Sequence, residues 1–520
     1  MQLVQVLRNL LILIFAAGGA LAAQPAYAHG FGDRYDLPVP LEYYLAGAVA
    51  TVALSFAVIG MFVRGAASSS SYWRFNLLSN PLLAIVLQAR LVTTLIRSGS
   101  VFLLFLVIAT SIWGEQDPSL NFSPTFVWVI WWVGMGFLVA LLGNIWALVN
   151  PWSIIFDWVE GLYRHFKPIQ QLDLGLEYPG WLGMWPAVGL FLGFAWLENS
   201  FPLSSEPRMI AVMVITYSTV TWGGMFFYGK RTWLRFGEAF SVIFEFFGRF
   251  APTEFRVTNV DYCLDCNSYC TDDQESCVNC YECWSIARES QREINLRPYA
   301  VGLGRRENIT PDVLVFVIIM LATVTFDGFK STPIWGQIQN WLFGAASPLF
   351  GPNALAAIDS VGLLFSPIIF MVVYLSFAWM MVNTSGSALS TTDLAGVFVY
   401  SLIPIALAYN IAHFFTLLVI VGQLIIPLAS DPFGYGWDIL GTADYKVNIA
   451  LVNAKFAWIL AVGVIVIGHI LAVYLAHVIA MRSIRDPKSA LRSQYPMLAL
   501  MVTYTAISLW IIAQPIVEPV

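Results

Sequence analysis

Residues 456–481 read FAWILAVGVIVIGHILAVYLAHVIAM, twenty-six positions without a single Asp, Glu, Lys or Arg. A helix of that length rises about 39 Å, more than the roughly 30 Å that a bilayer's hydrocarbon core requires. The rest of the chain agrees. Of its 520 residues 58% are hydrophobic and 11% charged, and mean hydropathy is +0.72, values far from those of soluble proteins. The reading is an all-α integral membrane protein. Ten transmembrane helices are expected, at about 41–63, 98–114, 126–149, 181–198, 209–228, 310–329, 358–382, 394–428, 456–481 and 495–514. The eighth carries Pro404 and Pro427, which predict a tilt or break.

Residues 1–28 have the form of a signal peptide: Arg8, an apolar core from Leu10 to Ala23, then Ala26-Tyr27-Ala28 as a small-x-small cleavage site. Cleavage makes His29 the first residue, on the outer face. Ten spans then sort the 26 Lys and Arg residues: Arg8 lies in the signal, and Arg34, Arg208, Lys330, Lys446 and Lys455 lie outside. That leaves twenty inside, as the positive-inside rule requires. The organisation is a signal (1–28), helices 1–5 (29–228), a cytoplasmic region (229–308) and helices 6–10 (309–520). No basic stripe with interleaved aromatics suggests nucleic acid.

All six cysteines fall in the cytoplasmic region, as Cys263-x2-Cys266-x3-Cys270-x6-Cys277-x2-Cys280-x2-Cys283. Reducing cytosol disfavours disulfides, so the cluster reads as a metal-binding loop. Two chemistries fit. Cys277, Cys280 and Cys283 resemble the three-cysteine run of a 4Fe–4S site, with a fourth ligand from Cys263, Cys266 or Cys270. Two CxxC pairs equally make a four-cysteine zinc site, leaving Cys270 and one terminal cysteine spare. The count of six tilts the reading to iron–sulfur. Upstream, Trp233–Phe250 spaces Phe236, Phe240, Ile243, Phe244 and Phe247 at helical intervals. The helix either lies on the inner membrane surface or packs under the bundle.

Ionisable groups at membrane depth are costly and mark function. His413 and His469 fall near the middles of the eighth and ninth spans, and His477 lies about 12 Å further along its helix. These imidazoles suit a haem, a metal or a proton relay, or plain helix–helix hydrogen bonds such as His413 with Tyr409. Glu198, Asp327, Asp431, Asp438 and Asp444 sit at outer span ends. Asp327 with Asp438 suits a divalent ion that activates water, and a terminal His29 suits chelation of a metal such as copper.

Several short motifs in shared order resemble a family. They are His29-Gly-Phe-Gly-Asp-Arg-Tyr-Asp-Leu-Pro-Val-Pro-Leu41, Asn150-Pro151-Trp152, Gly237-Glu238-Ala239-Phe240-Ser241-Val242 and Thr325-Phe326-Asp327-Gly328-Phe329. Further on come Leu407 to Phe415, Gly422-Gln423, Ser430-Asp431-Pro432, Gly436 to Ala443 and Gly468-His469. Together they resemble the fenitrothion hydrolase family of bacterial multi-span membrane proteins. The resemblance implies an inner-membrane enzyme, working with a second subunit, that cleaves the P–O–aryl bond of organophosphorus triesters. On that reading Asp327, Asp438 and His413 are the catalytic candidates. The cysteine loop lies outside the family's pattern, and Gly-x-Ser-x-Gly and HExxH are absent. A redox or metal-handling protein, with His469 and His477 holding a cofactor, is the second class expected, and a transporter the third.

Overall fold

The computed structural model describes residues 35–518 except 63–71, 168–170, 267–269, 273–275, 305–308, 387–388 and 485. The signal segment and His29 therefore lie outside the described residues, as does the Cys266 side chain. Thirteen helices organise the rest: α1 Leu41–Phe62, α2 Arg90–Trp113, α3 Phe122–Leu141, α4 Pro151–Phe166, α5 Trp185–Asn199, α6 Pro207–Tyr228, α7 Ala239–Phe250, α8 Pro311–Lys330, α9 Pro333–Phe350, α10 Ala354–Ser385, α11 Thr391–Ser430, α12 Ala454–Ser483 and α13 Pro487–Ile516. Among the described residues nine stretches are long and apolar enough to cross a membrane, α9 and α10 counting as one.

The expected fourth span is α5, only 15 residues long. Its course is nevertheless that of α8 beside it. The Met184 amide, just before α5, donates to Asp312 in the first turn of α8. At the other end Lys330 donates to the Asn199 carbonyl at 2.8 Å. The second span starts at Arg90, so Arg97 lies inside a helix and pairs with Asp157 at 2.6 Å. The break expected in the eighth span is present. Tight 3-10 turns at Tyr400–Leu402 and Val421–Leu424 flank the central helical run of α11, close to Pro404 and Pro427.

Helix α7 resolves the two readings of the Trp233–Phe250 segment in favour of packing. Phe240, Ile243, Phe244, Phe246 and Phe247 are all at most 3% exposed, and they share one core with Trp132, Phe191, Phe316 and Phe398. The amphipathic pattern fits burial because the polar residues find partners. Glu238 caps the helix through the Phe240 and Ser241 amides, and Arg249 pairs with Glu245 at 2.8 Å.

Helices carry the membrane part, whereas the cysteine region adds a small antiparallel sheet. A short pair, β1 Tyr35–Asp36 with β6 Val517–Glu518, runs parallel. The sheet comprises β2 Phe75–Asn76, β3 Thr253–Val257, β4 Cys277–Val278 and β5 Arg292–Leu296, ordered β2-β5-β3-β4. In β3 Glu254 and Arg256 share one face while Phe255 takes the other, packing on Trp284 and Tyr281.

Candidate metal centre and a buried carboxylate–imidazole pair

The sheet fixes the cysteines. Cys277 lies on β4 opposite Val257, and Cys270 accepts from the Val278 amide at 2.8 Å through its carbonyl. Cys263 comes from a 3-10 turn, Val260–Cys266, and Cys283 from a short helix, Tyr281–Ile286. Asn279 adopts a left-handed φ of 59°, a conformation Asn tolerates better than most residues and one that lets the chain turn between β4 and the helix. The sulfurs of Cys263, Cys270, Cys277 and Cys283 all lie within 4.8 Å of one another, and all four residues are buried. The selected ligands thus have six, six and five residues between them. Cys280, half-buried, stands outside the set.

Among the described residues the converging set differs from both groupings that spacing suggests, the Cys266 side chain lying outside them. The ferredoxin-like run is split, because Cys280 does not join Cys277 and Cys283, and Cys270 is a member rather than a spare. The Cys263 and Cys277 sulfurs are joined in a disulfide, with Cys270 sulfur 3.4 Å from Cys263 and 3.9 Å from Cys283. A disulfide and a metal ion are alternative states of one sulfur cluster, since thiolate ligation requires that bond to be reduced.

Beside the cluster lies a charged network that sequence reading missed. Glu254, fully buried, accepts from Arg297 at 2.7 Å, Arg256 at 3.0 Å and the Tyr72 hydroxyl at 2.5 Å. Arg256 also reaches Asp272 at 2.7 Å. Burial pushes the Glu254 carboxyl up, but Arg297 and Arg256 outweigh it and hold the group below the usual range. Burial likewise opposes the charge on Arg256, and Glu254, Tyr72 and Asp272 reverse the effect and raise its pKa.

At the far end of α8 a second polar group forms. Asp327 accepts from His413 Nε2 at 2.8 Å and faces Lys330 at 3.4 Å. Glu198 is close by, bound to Trp132 Nε1 at 2.7 Å. A cavity of about 20 Å³ separates α5, α7, α8 and α11 here, and Glu198, Asp327 and Asn410 line it. His413 thus meets a carboxylate, not only its stacking partner Tyr409, whose ring lies 5.9 Å away. Glycines permit the approach of these helices: a Cβ at Gly328 would collide with the Tyr409 hydroxyl, and one at Gly468 with Ala408.

The other expected residues find separate partners. Asp438 accepts from Ser430 and from the Ala443 amide, bracing the loop after α11; the Ser430 bond first, then the amides, hold its carboxyl low. His469 Nδ1 bonds the Ile465 carbonyl at 2.8 Å, leaving Nε2 buried without a partner among the described residues. His477 Nδ1 bonds Gln494 at 2.9 Å. Among the described residues the cysteines are the one group of three or more His, Cys, Asp or Glu side chains that converge as metal ligands.

Comparison with family models, curated proteins and solved structures finds no match.

Proposed function

We propose that this chain is a metal-handling or redox membrane protein whose cysteine module binds one thiolate-ligated ion in the cytoplasm. The observation that carries the reading is the convergence of four buried sulfurs within 4.8 Å. Its geometry favours zinc. Four sulfurs about 2.3 Å from one ion stand about 3.8 Å apart, a span that fits the 3.4 Å and 3.9 Å from Cys270 to Cys263 and Cys283 once the Cys263–Cys277 bond is reduced, whereas a cubane inserts four irons and needs its ligands further apart. The cytoplasmic side is supported by the twenty-to-five split of basic residues. Purified without oxygen, the protein should carry about one zinc per chain, and Cys270→Ser should abolish it. Sulfide-to-iron absorption would replace zinc by iron–sulfur. Metal-free protein retaining the Cys263–Cys277 disulfide would overturn the reading.

A second reading, a triester hydrolase as the family resemblance implies, rests on the Asp327–His413 pair. On that reading the pair would take a proton from water as it attacks phosphorus, while the P–O bond breaks and aryloxide leaves. The adjoining 20 Å³ cavity admits a water but no triester, so the substrate would enter only with displacement of the outer loops. Release of nitrophenol by membranes carrying the chain, lost in His413→Ala at unchanged abundance, would establish this activity. Its absence leaves the metal reading alone. A second subunit and a small-molecule substrate belong to this reading.

A further inference from the structure

The cavity of about 20 Å³ between α5, α7, α8 and α11 has charge of one sign in its wall. Its polar lining is Glu198, Asn199, Thr323, Asp327 and Asn410, and no Lys, Arg or His stands among the described residues that line it. We propose that this cavity binds one dehydrated monovalent cation, sodium, through carboxylate and amide oxygens. The inference goes beyond the metal reading: it concerns the opposite end of α8 and does not depend on which ion the cysteines hold.

Donors in the wall are turned elsewhere, and acceptors are left. Asn199 Nδ2 donates to the Ala195 carbonyl of its own helix at 3.0 Å. Its Oδ1, on a residue 8% exposed, is buried without a partner among the described residues. An amide oxygen stranded in this way calls for a donor or a cation. Thr323 gives its proton to the Met320 carbonyl at 3.4 Å, which leaves the hydroxyl oxygen free to accept. Charge follows the same line. Glu198 is bound through one oxygen by Trp132 Nε1 at 2.7 Å, whereas the two nearby bases, Lys330 and His413, both face Asp327. With a neutral imidazole, two carboxylates meet one ammonium, and the remaining negative charge, out of water, is costly until an ion offsets it. One positive charge closes that balance, and a divalent ion would overshoot it. The volume holds about one water-sized body, so the ion sheds its water and takes the wall's oxygens instead, which suits sodium better than the larger potassium. The competing explanation is a proton on Glu198, which would remove the charge and leave nothing for a metal ion to balance.

The experiment uses full-length, metal-loaded protein in detergent at about pH 8, above the ordinary carboxylate range. Retention of radiolabelled sodium is measured by equilibrium dialysis. Thermal unfolding is followed in sodium, potassium and choline chloride at matched ionic strength. The expected result is about one sodium per chain, bound saturably, with a rise of Tm that potassium matches only at about tenfold higher concentration. Glu198→Gln should abolish retention, and Asn199→Ala should weaken it about tenfold. Cys270→Ser should leave sodium retention unchanged, which separates this ion from the one at the cysteines. If Glu198→Gln fails to fold, Asn199→Ala decides; if both fail, the wild-type stoichiometry and the contrast between sodium and choline decide. Equal Tm in the three salts with no retained sodium would put a proton on Glu198 and overturn the proposal. Sodium retention that survives both substitutions would overturn it too, by placing the ion elsewhere.

Discussion

The two ends of α8 treat a buried carboxylate differently. At the cysteine end Glu254 accepts from two guanidiniums and a hydroxyl, all held on a sheet. At the other end Asp327 meets one imidazole and one more distant ammonium, with Glu198 beside it. Glu254 is fully buried, whereas the Asp327 side chain keeps 20% of its exposure. The first arrangement is saturated and rigid, as a platform for metal ligands must be. The second is more exposed and next to a water-sized space, which suits the proton exchange proposed for it.

The largest expected break of this contrast is Glu254→Gln. It strands two buried guanidiniums and should destabilise the cysteine module by about 3–5 kcal/mol, read by Trp284 fluorescence during urea unfolding together with loss of bound metal. Acid should act on the same group. Because the folded Glu254 pKa is depressed, its contribution is full above the ordinary value of 4.5 and is lost as pH falls through the folded value. Loss of the module's structure already near pH 6 would contradict this. Asp327→Asn should cost less, about 1–3 kcal/mol, and should leave metal content unchanged, because the pair lies at the opposite end of α8. A drop in metal would show that the ends are coupled. The smallest expected effect is that of Cys280→Ser: an unaltered metal stoichiometry, measured beside the Cys270→Ser loss.

The helices were legible because an uninterrupted apolar run leaves a chain few alternatives. α5 was found among them by hydropathy, although it is short. α7 was ambiguous, since an amphipathic stripe reads alike on a membrane surface and in a core. The Asp327–His413 contact could not be read, because 86 positions separate the residues and only the relative rotation of α8 and α11 brings them together. The converging set could not be read from spacing, because CxxC suggests neighbours as co-ligands, whereas the fold draws its four sulfurs from two turns or loops, a strand and a short helix. Glu254 and Arg256 gave the weakest signal of all. Charges at alternate positions of a strand ordinarily mean a solvated face, and only Arg297, some forty residues on, turns that face inward.

The parallel pairing of Tyr35–Asp36 with Val517–Glu518 carries an arithmetic consequence. Backbones that share hydrogen bonds stand on one face of a bilayer, so the chain between them must traverse it an even number of times. Nine stretches meet the length test, an odd number. The β2–β5 pairing locates the discrepancy. Between these strands α2, α3 and α6 make three passages, and the strands can meet only if a fourth exists. A crossing by α5, bound at its two ends to the two ends of α8, would restore parity. Beyond β5 the candidate stretches number five, and α1 precedes β2, so with α5 the count between the first and last described strands is even.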